Sequence, residues 1–207
     1  MKRELPNVSK KIKKKILTKF EKTEKWFQKF WFRLFLVMCF AIAMAYLESV
    51  VVVYLREMFA LQYTTPKEGI ELALKLPHFA LVKNPLVIVP SLRILVTEIF
   101  RETATIIMLF CFAFLVGRKW RERLAIFLLS FALWDIFYYV FLYIMIGWPQ
   151  SLFTLDVLFL IPLPWLAPVW LPVSISVCMI IIATFLFRWQ LLINRLKMKN
   201  RNINYKI

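Results

Sequence analysis

Glu98, Arg101, Glu102 and Thr105 stand at i, i+3, i+4 and i+7, the spacing of one helix face. Asp135, Tyr138, Tyr139 and Leu142 repeat that spacing. Glu48 and Arg56, eight residues apart, fall on nearly one side of a helix. Carboxyls set among arginines and phenols suit three kinds of chemistry. They can hold a cation or proton, hold a polar solute, or act as a general acid and base. The setting makes them informative, because each lies inside or beside a long apolar stretch. A charge at the centre of a bilayer costs about 2.5–3.5 kcal/mol on insertion scales, so such residues are rare and need partners.

The elements that carry them are legible. Of the 207 residues, 61% are hydrophobic and 17% aromatic, above the 45–50% apolar usage of an ordinary soluble domain. Disorder, a collagen repeat and a disulfide scaffold are excluded by that hydrophobicity, by 3 Gly and by 3 Cys respectively. Apolar stretches at about 34–55, 94–116, 124–146 and 169–187 each suffice to cross a bilayer, which takes about 20 helical residues. None alternates as a barrel strand would. The expected fold is an all-α integral membrane bundle of four transmembrane helices.

Charge orients the bundle. There are 28 Lys+Arg against 12 Asp+Glu, a formal net charge of +16. Residues 2–33 hold 12 basic and 3 acidic side chains. Arg118, Lys119, Arg121 and Arg123 sit between the second and third spans, and Arg188, Arg195, Lys197, Lys199, Arg201 and Lys206 follow the fourth. All three regions fall on one side of the bundle. The positive-inside rule makes that side cytoplasmic. A multi-pass protein of the plasma (inner) membrane, with both termini in the cytoplasm, is expected. The same rule accounts for the basic ends, so no nucleic-acid partner is expected.

Three regions follow: a basic amphipathic helix at 1–33, a four-span membrane domain at 34–187 and a basic tail at 188–207. In the first, Ile12, Ile16, Leu17 and Phe20 recur at helical spacing among lysines, followed by Trp26, Phe27, Phe30 and Trp31. Such a helix suits the headgroup layer, with the lipid bilayer and its anionic headgroups as partners. In the outer connections, Lys67–Leu76 has the pattern of a short amphipathic helix. Leu152–Ile161 is too short to span and reads as a re-entrant or interfacial helix before the last span. Pro168 suits the first turn of that span, and Pro172 predicts a kink just inside it.

Glu48, Arg93, Glu98, Arg101, Glu102, Asp135, Tyr138, Tyr139 and Asp156 are the candidate pocket residues. They sketch an outward-facing polar site lidded by Asp156–Trp165. Two readings stay open. The arginines could simply neutralise carboxyls and lock helices in register. Alternatively, because carboxyls outnumber nearby arginines by three, some are protonated, solvated or cation-bound.

Other chemistry is missing from the sequence. With a single histidine, His78, neither a bis-histidine haem nor a histidine metal centre is expected. No metal or other cofactor is expected, and no catalytic residue is assigned. Cys39, Cys111 and Cys178 are isolated and read as small core residues. No phosphate-binding glycine loop, nucleophile elbow or internal repeat occurs. The favoured function is binding or transport of a small polar or ionic ligand. The alternatives are a non-catalytic subunit or assembly factor, with a membrane-protein partner or as a homo-oligomer, and an intramembrane carboxylate-dependent enzyme.

Overall fold

Glycine and proline set the boundaries of the helices. In the computed structural model, α1 runs Leu5–Phe59, α2 Leu92–Val116, α3 Trp120–Ile146 and α4 Trp170–Ile203. Beyond the first turn, none of the four contains Gly or Pro. The breakers fall between them, where they stop helices or bend loops. Backbone is described for residues 5–59, 71–89 and 91–203, and side chains for 30–57, 71–89, 91–189 and 192–193. The expected 63–66 turn and residues 67–70 lie outside the described residues.

The chain forms two compact units, 1–39 and 40–207. The first is a run of helix. Its expected amphipathic face rests almost wholly on side chains outside the described residues. The second holds everything discussed below.

The structure is mostly helical (71%), with four helices long and apolar enough to cross a membrane: Phe30–Glu57, Leu92–Val116, Trp120–Ile146 and Trp170–Trp189. Helix α3 is the best covered. Buried residues make up 39% of its most apolar window, against 17–22% in the others. Large apolar side chains such as Phe100, Leu115, Ile144 and Ile181 stand exposed. A soluble domain rarely leaves so much apolar surface open, whereas lipid accepts it. The inner packing is aromatic and small: Ala45, Leu109 and Trp134 interlock, flanked by Phe40, Phe131, Phe137 and Phe159.

Three expectations need correction. The helical fold carries an addition not expected from sequence, because the two connections expected to be outer pair into one small antiparallel four-stranded sheet. Strands β1 (Leu72–Leu76), β2 (Phe79–Val82), β3 (Leu155–Val157) and β4 (Trp165–Pro168) lie in the order β1-β2-β4-β3. Residues 72–76 are therefore a strand rather than the end of an amphipathic helix. The segment 152–161 is likewise not a re-entrant or interfacial helix. Asp156 pairs with Ala167 and Val157 with Leu166 across a hairpin. Pro162 and Pro164 force the turn that follows this segment, and its backbone groups find partners across strands. Ala80 meets Leu166 and Leu81 meets Trp165, which stitches one connection to the other.

Proline and cysteine positions also differ from expectation. Pro168 ends β4, and Pro172 is the third residue of α4. There its missing N–H falls among the donors a helix start leaves unused, so the helix runs on uninterrupted. The three cysteines are exposed rather than in the core.

Gly147 ends α3 in the left-handed region, at φ 65°, and its N–H bonds the Tyr143 carbonyl at 2.9 Å. A side chain there would meet open space, so any penalty belongs to the backbone alone. Gly147→Val is expected to cost about 1–2 kcal/mol, while Gly147→Asn costs less because Asn tolerates this conformation. Thermal unfolding of both variants in detergent checks the order; equal melting temperatures would contradict it.

Candidate functional site

Helices α1 to α4 and the β3–β4 hairpin enclose a cavity of about 250 Å³. Glu48 and Arg56 reach it from α1, and Glu98, Arg101 and Glu102 from α2. Asp135, Tyr138 and Tyr139 come from α3, Ser176 from α4 and Asp156 from β3. Eight of the nine expected residues therefore meet at one place. The ninth, Arg93, is exposed at the start of α2 and does not line the cavity. At 100° per residue, Arg93 points opposite Glu102, nine positions on. Arg56 is the second arginine of the site instead.

Arg101 is the electrostatic centre. Its Nε and Nη2 both lie 2.8 Å from Glu98 Oε2, and its Nη1 bonds Glu48 Oε1. One guanidinium thus holds two carboxylates and joins α1 to α2. A guanidinium suits the task, because its fork of donors addresses two acceptors at once. Glu98 is only 7% exposed, a depth at which an unpartnered charge would be costly.

Arg56 forms a second centre. Its guanidinium lies 3.8 Å over the Trp148 ring and 3.9 Å from Asp156 Oδ1. The Tyr139 hydroxyl donates to Asp156 Oδ2 at 3.0 Å. The hairpin is thereby fastened to α1 and α3. Asp156 is 4% exposed and lies outside the spanning helices. Burial pushes its carboxyl up to about 6, against the opposing pull of the Arg56 guanidinium and the Tyr139 hydrogen bond.

The remaining two carboxyls have no ion pair among the described residues. Glu102 Oε2 accepts the Leu160 backbone N–H at 2.9 Å, which ties α2 to the hairpin. Asp135 Oδ2 accepts the Ser176 hydroxyl at 2.7 Å, which ties α3 to α4. Five carboxyls and two guanidiniums line the cavity, so the acid excess anticipated from sequence is present. Arg101 and Arg56 pair with Glu48, Glu98 and Asp156, and they leave Glu102 and Asp135.

Comparison with known protein families, curated proteins and solved structures finds no match.

Several contributors were not singled out from sequence. Ser176 signals itself weakly, as a hydroxyl in an otherwise apolar span. Trp148 joins by packing against Tyr139 and under the Arg56 guanidinium, while Phe159 and the Leu160 N–H belong to the segment expected as the lid. Trp134 and Trp165 line the cavity, and the indole N–H of each is buried without an acceptor. Thr105, expected on the charged stripe, is buried and bonds back to the Arg101 carbonyl at 3.1 Å without lining the cavity. His78 packs edge-on against Trp170 at 5.3 Å. Among the described residues, no group of three or more His, Cys, Asp or Glu side chains could hold a metal.

The Asp156 carboxyl makes a pH prediction. Its folded value of about 6 lies above its ordinary value near 3.9, so between these values the folded state binds the extra proton. Its contribution to stability is full below about pH 4 and is lost as pH rises through about 6. Relative to Asp156→Asn, the wild type should lose stability across that window, by an amount on the order of 2–3 kcal/mol. Melting temperatures of both proteins from pH 4 to 8 test this. A flat difference curve would show that Asp156 titrates as in water.

Proposed function

We propose that this is a multi-pass plasma (inner) membrane protein that binds or carries a small polar or ionic ligand in the Arg101–Asp135 cavity. Both termini face the cytoplasm, and the sheet and cavity face outward. The orientation is supported by the order of charge along the sequence, in which the basic stretches 2–33, 118–123 and 188–206 come before the first span, between the second and third, and after the fourth. The connections that build the sheet carry little basic charge. The partners on this reading are the bilayer itself and anionic headgroups beside the basic N-terminal helix.

One observation carries the ligand reading: Glu102 and Asp135 line the cavity and neither is in an ion pair among the described residues. A register lock between helices needs neither a cavity nor surplus acids. Cavities that bind small molecules pair mostly apolar walls with a few convergent polar groups, and this one has both. The subunit alternative would instead place the surplus acids against a partner's helices. The enzyme alternative would need a bound substrate poised between two carboxyls.

Native mass spectrometry of the full chain, released gently from its membrane, separates the readings. A small-molecule or ion adduct is expected on the wild type and is expected to be lost in Asp135→Asn. A stoichiometric second polypeptide with no adduct would overturn the proposal in favour of the subunit reading.

A further inference from the structure

The cavity has two kinds of unmet demand. Glu102 and Asp135 each have one oxygen occupied, by Leu160 N–H and Ser176 Oγ, and neither has an ion pair among the described residues. Trp134 is 7% exposed, and its indole N–H is buried with no acceptor; the Trp165 N–H is in the same state. A buried donor left unmade costs on the order of 1–3 kcal/mol, and both donors belong to residues that line the cavity, so an acceptor bound there that reached them would relieve that cost.

The wall between them is aromatic. Trp134 lies 5.3 Å from Phe131 and 6.4 Å from Phe159, and Phe159 lies 6.0 Å from Trp165. Tyr138 and Tyr139 stack edge-on at 5.0 Å on the α3 side. Ring faces attract cations, and organic ammonium ions are well suited to such boxes because their methyl or methylene groups also gain apolar contact. A bare metal ion would need converging oxygen or nitrogen ligands, and among the described residues no such group of three forms.

We infer that the cavity takes a small organic ammonium ion that also bears a hydroxyl or carbonyl oxygen. The positive end faces Glu102 and Asp135 within the aromatic box, and the oxygen accepts from the Trp134 and Trp165 N–H groups. This inference rests on the ligand-binding reading above and names its chemical class. Such an ammonium group could reach the cavity as a free solute or on a phospholipid headgroup. The acid surplus favours the free solute, because a headgroup would bring a phosphate anion beside unpaired carboxylates.

Calorimetric titration of the full chain in maltoside micelles, free of choline lipids, tests the class with four probes. Choline carries both features, and tetramethylammonium has the charge without the oxygen. 3,3-Dimethylbutanol has the shape and oxygen without the charge, and phosphocholine adds a phosphate. Choline should bind tightest. Tetramethylammonium should be weaker by about three- to tenfold, matching one or two modest hydrogen bonds. Dimethylbutanol and phosphocholine should each be weaker by at least about tenfold.

Variants divide the roles. Asp135→Asn should weaken choline and tetramethylammonium together. Trp134→Phe and Trp165→Phe should abolish the preference for choline while tetramethylammonium still binds, which also shows that the variants fold. Dimethylbutanol binding as tightly as choline would overturn the ammonium assignment. Phosphocholine binding more tightly than choline would overturn the free solute in favour of a headgroup. Binding of none of the probes by a chain that retains an adduct in native mass spectrometry would overturn the class and leave the ligand reading intact. Loss of that adduct as well would remove both.

Discussion

The Arg101 guanidinium bridging Glu98 and Glu48 is the constraint on which the rest of this structure depends. Two carboxylates this deep in an apolar bundle are untenable without a counter-charge. Arg101 meets both with one side chain, and in doing so it fixes α1 against α2 at the level of the cavity. The other cavity interactions attach further elements. Glu102 reaches the hairpin through Leu160, Asp135 reaches α4 through Ser176, and Asp156 reaches α1 and α3 through Arg56 and Tyr139. Apart from Glu98, whose partner Arg101 is on its own helix, each carboxyl therefore ties its element to at least one other. With every arginine of the cavity engaged, the acid surplus is left on Glu102 and Asp135.

The sheet explains how the two connections hold a fixed shape beside the site. Short strands have little stability alone. Here β2 pairs with β4, so two connections far apart in sequence satisfy one another's backbone groups. Further bonds run from Val82 N–H to the Pro164 carbonyl and from Leu158 N–H to the Trp165 carbonyl. The hairpin can then present Asp156, Phe159 and Trp165 to the cavity at fixed positions. A mobile loop would lose that placement.

Legibility followed the range of the interactions. The four long helices could be read because each contains a long, mostly apolar run, and Gly or Pro marks both ends of α2 and α3, a local property. The face shared by Glu98, Arg101 and Glu102 followed from helical spacing. Arg93 was misplaced because proximity in sequence stood in for its angle on the helix wheel. The hairpin was misread because an apolar stretch of ten residues fits helix or strand equally well, and only its cross-strand partners decide. The segment Asp156–Trp165 does border the site as its expected lid, but Ser176 enters through a contact that no local pattern announces.

The central claim, that Arg101 is the shared counter-ion of Glu48 and Glu98, is most directly tested by a double-mutant cycle. Stability would be measured for Arg101→Met, Glu48→Gln and the pair together, with Glu98→Gln in place of Glu48→Gln as a second cycle. The account predicts that each double variant is more stable than the sum of its single losses implies, with a coupling on the order of 1–3 kcal/mol in both cycles. Losses that add within about 0.5 kcal/mol in both cycles would contradict it, because the three charges would then be independent.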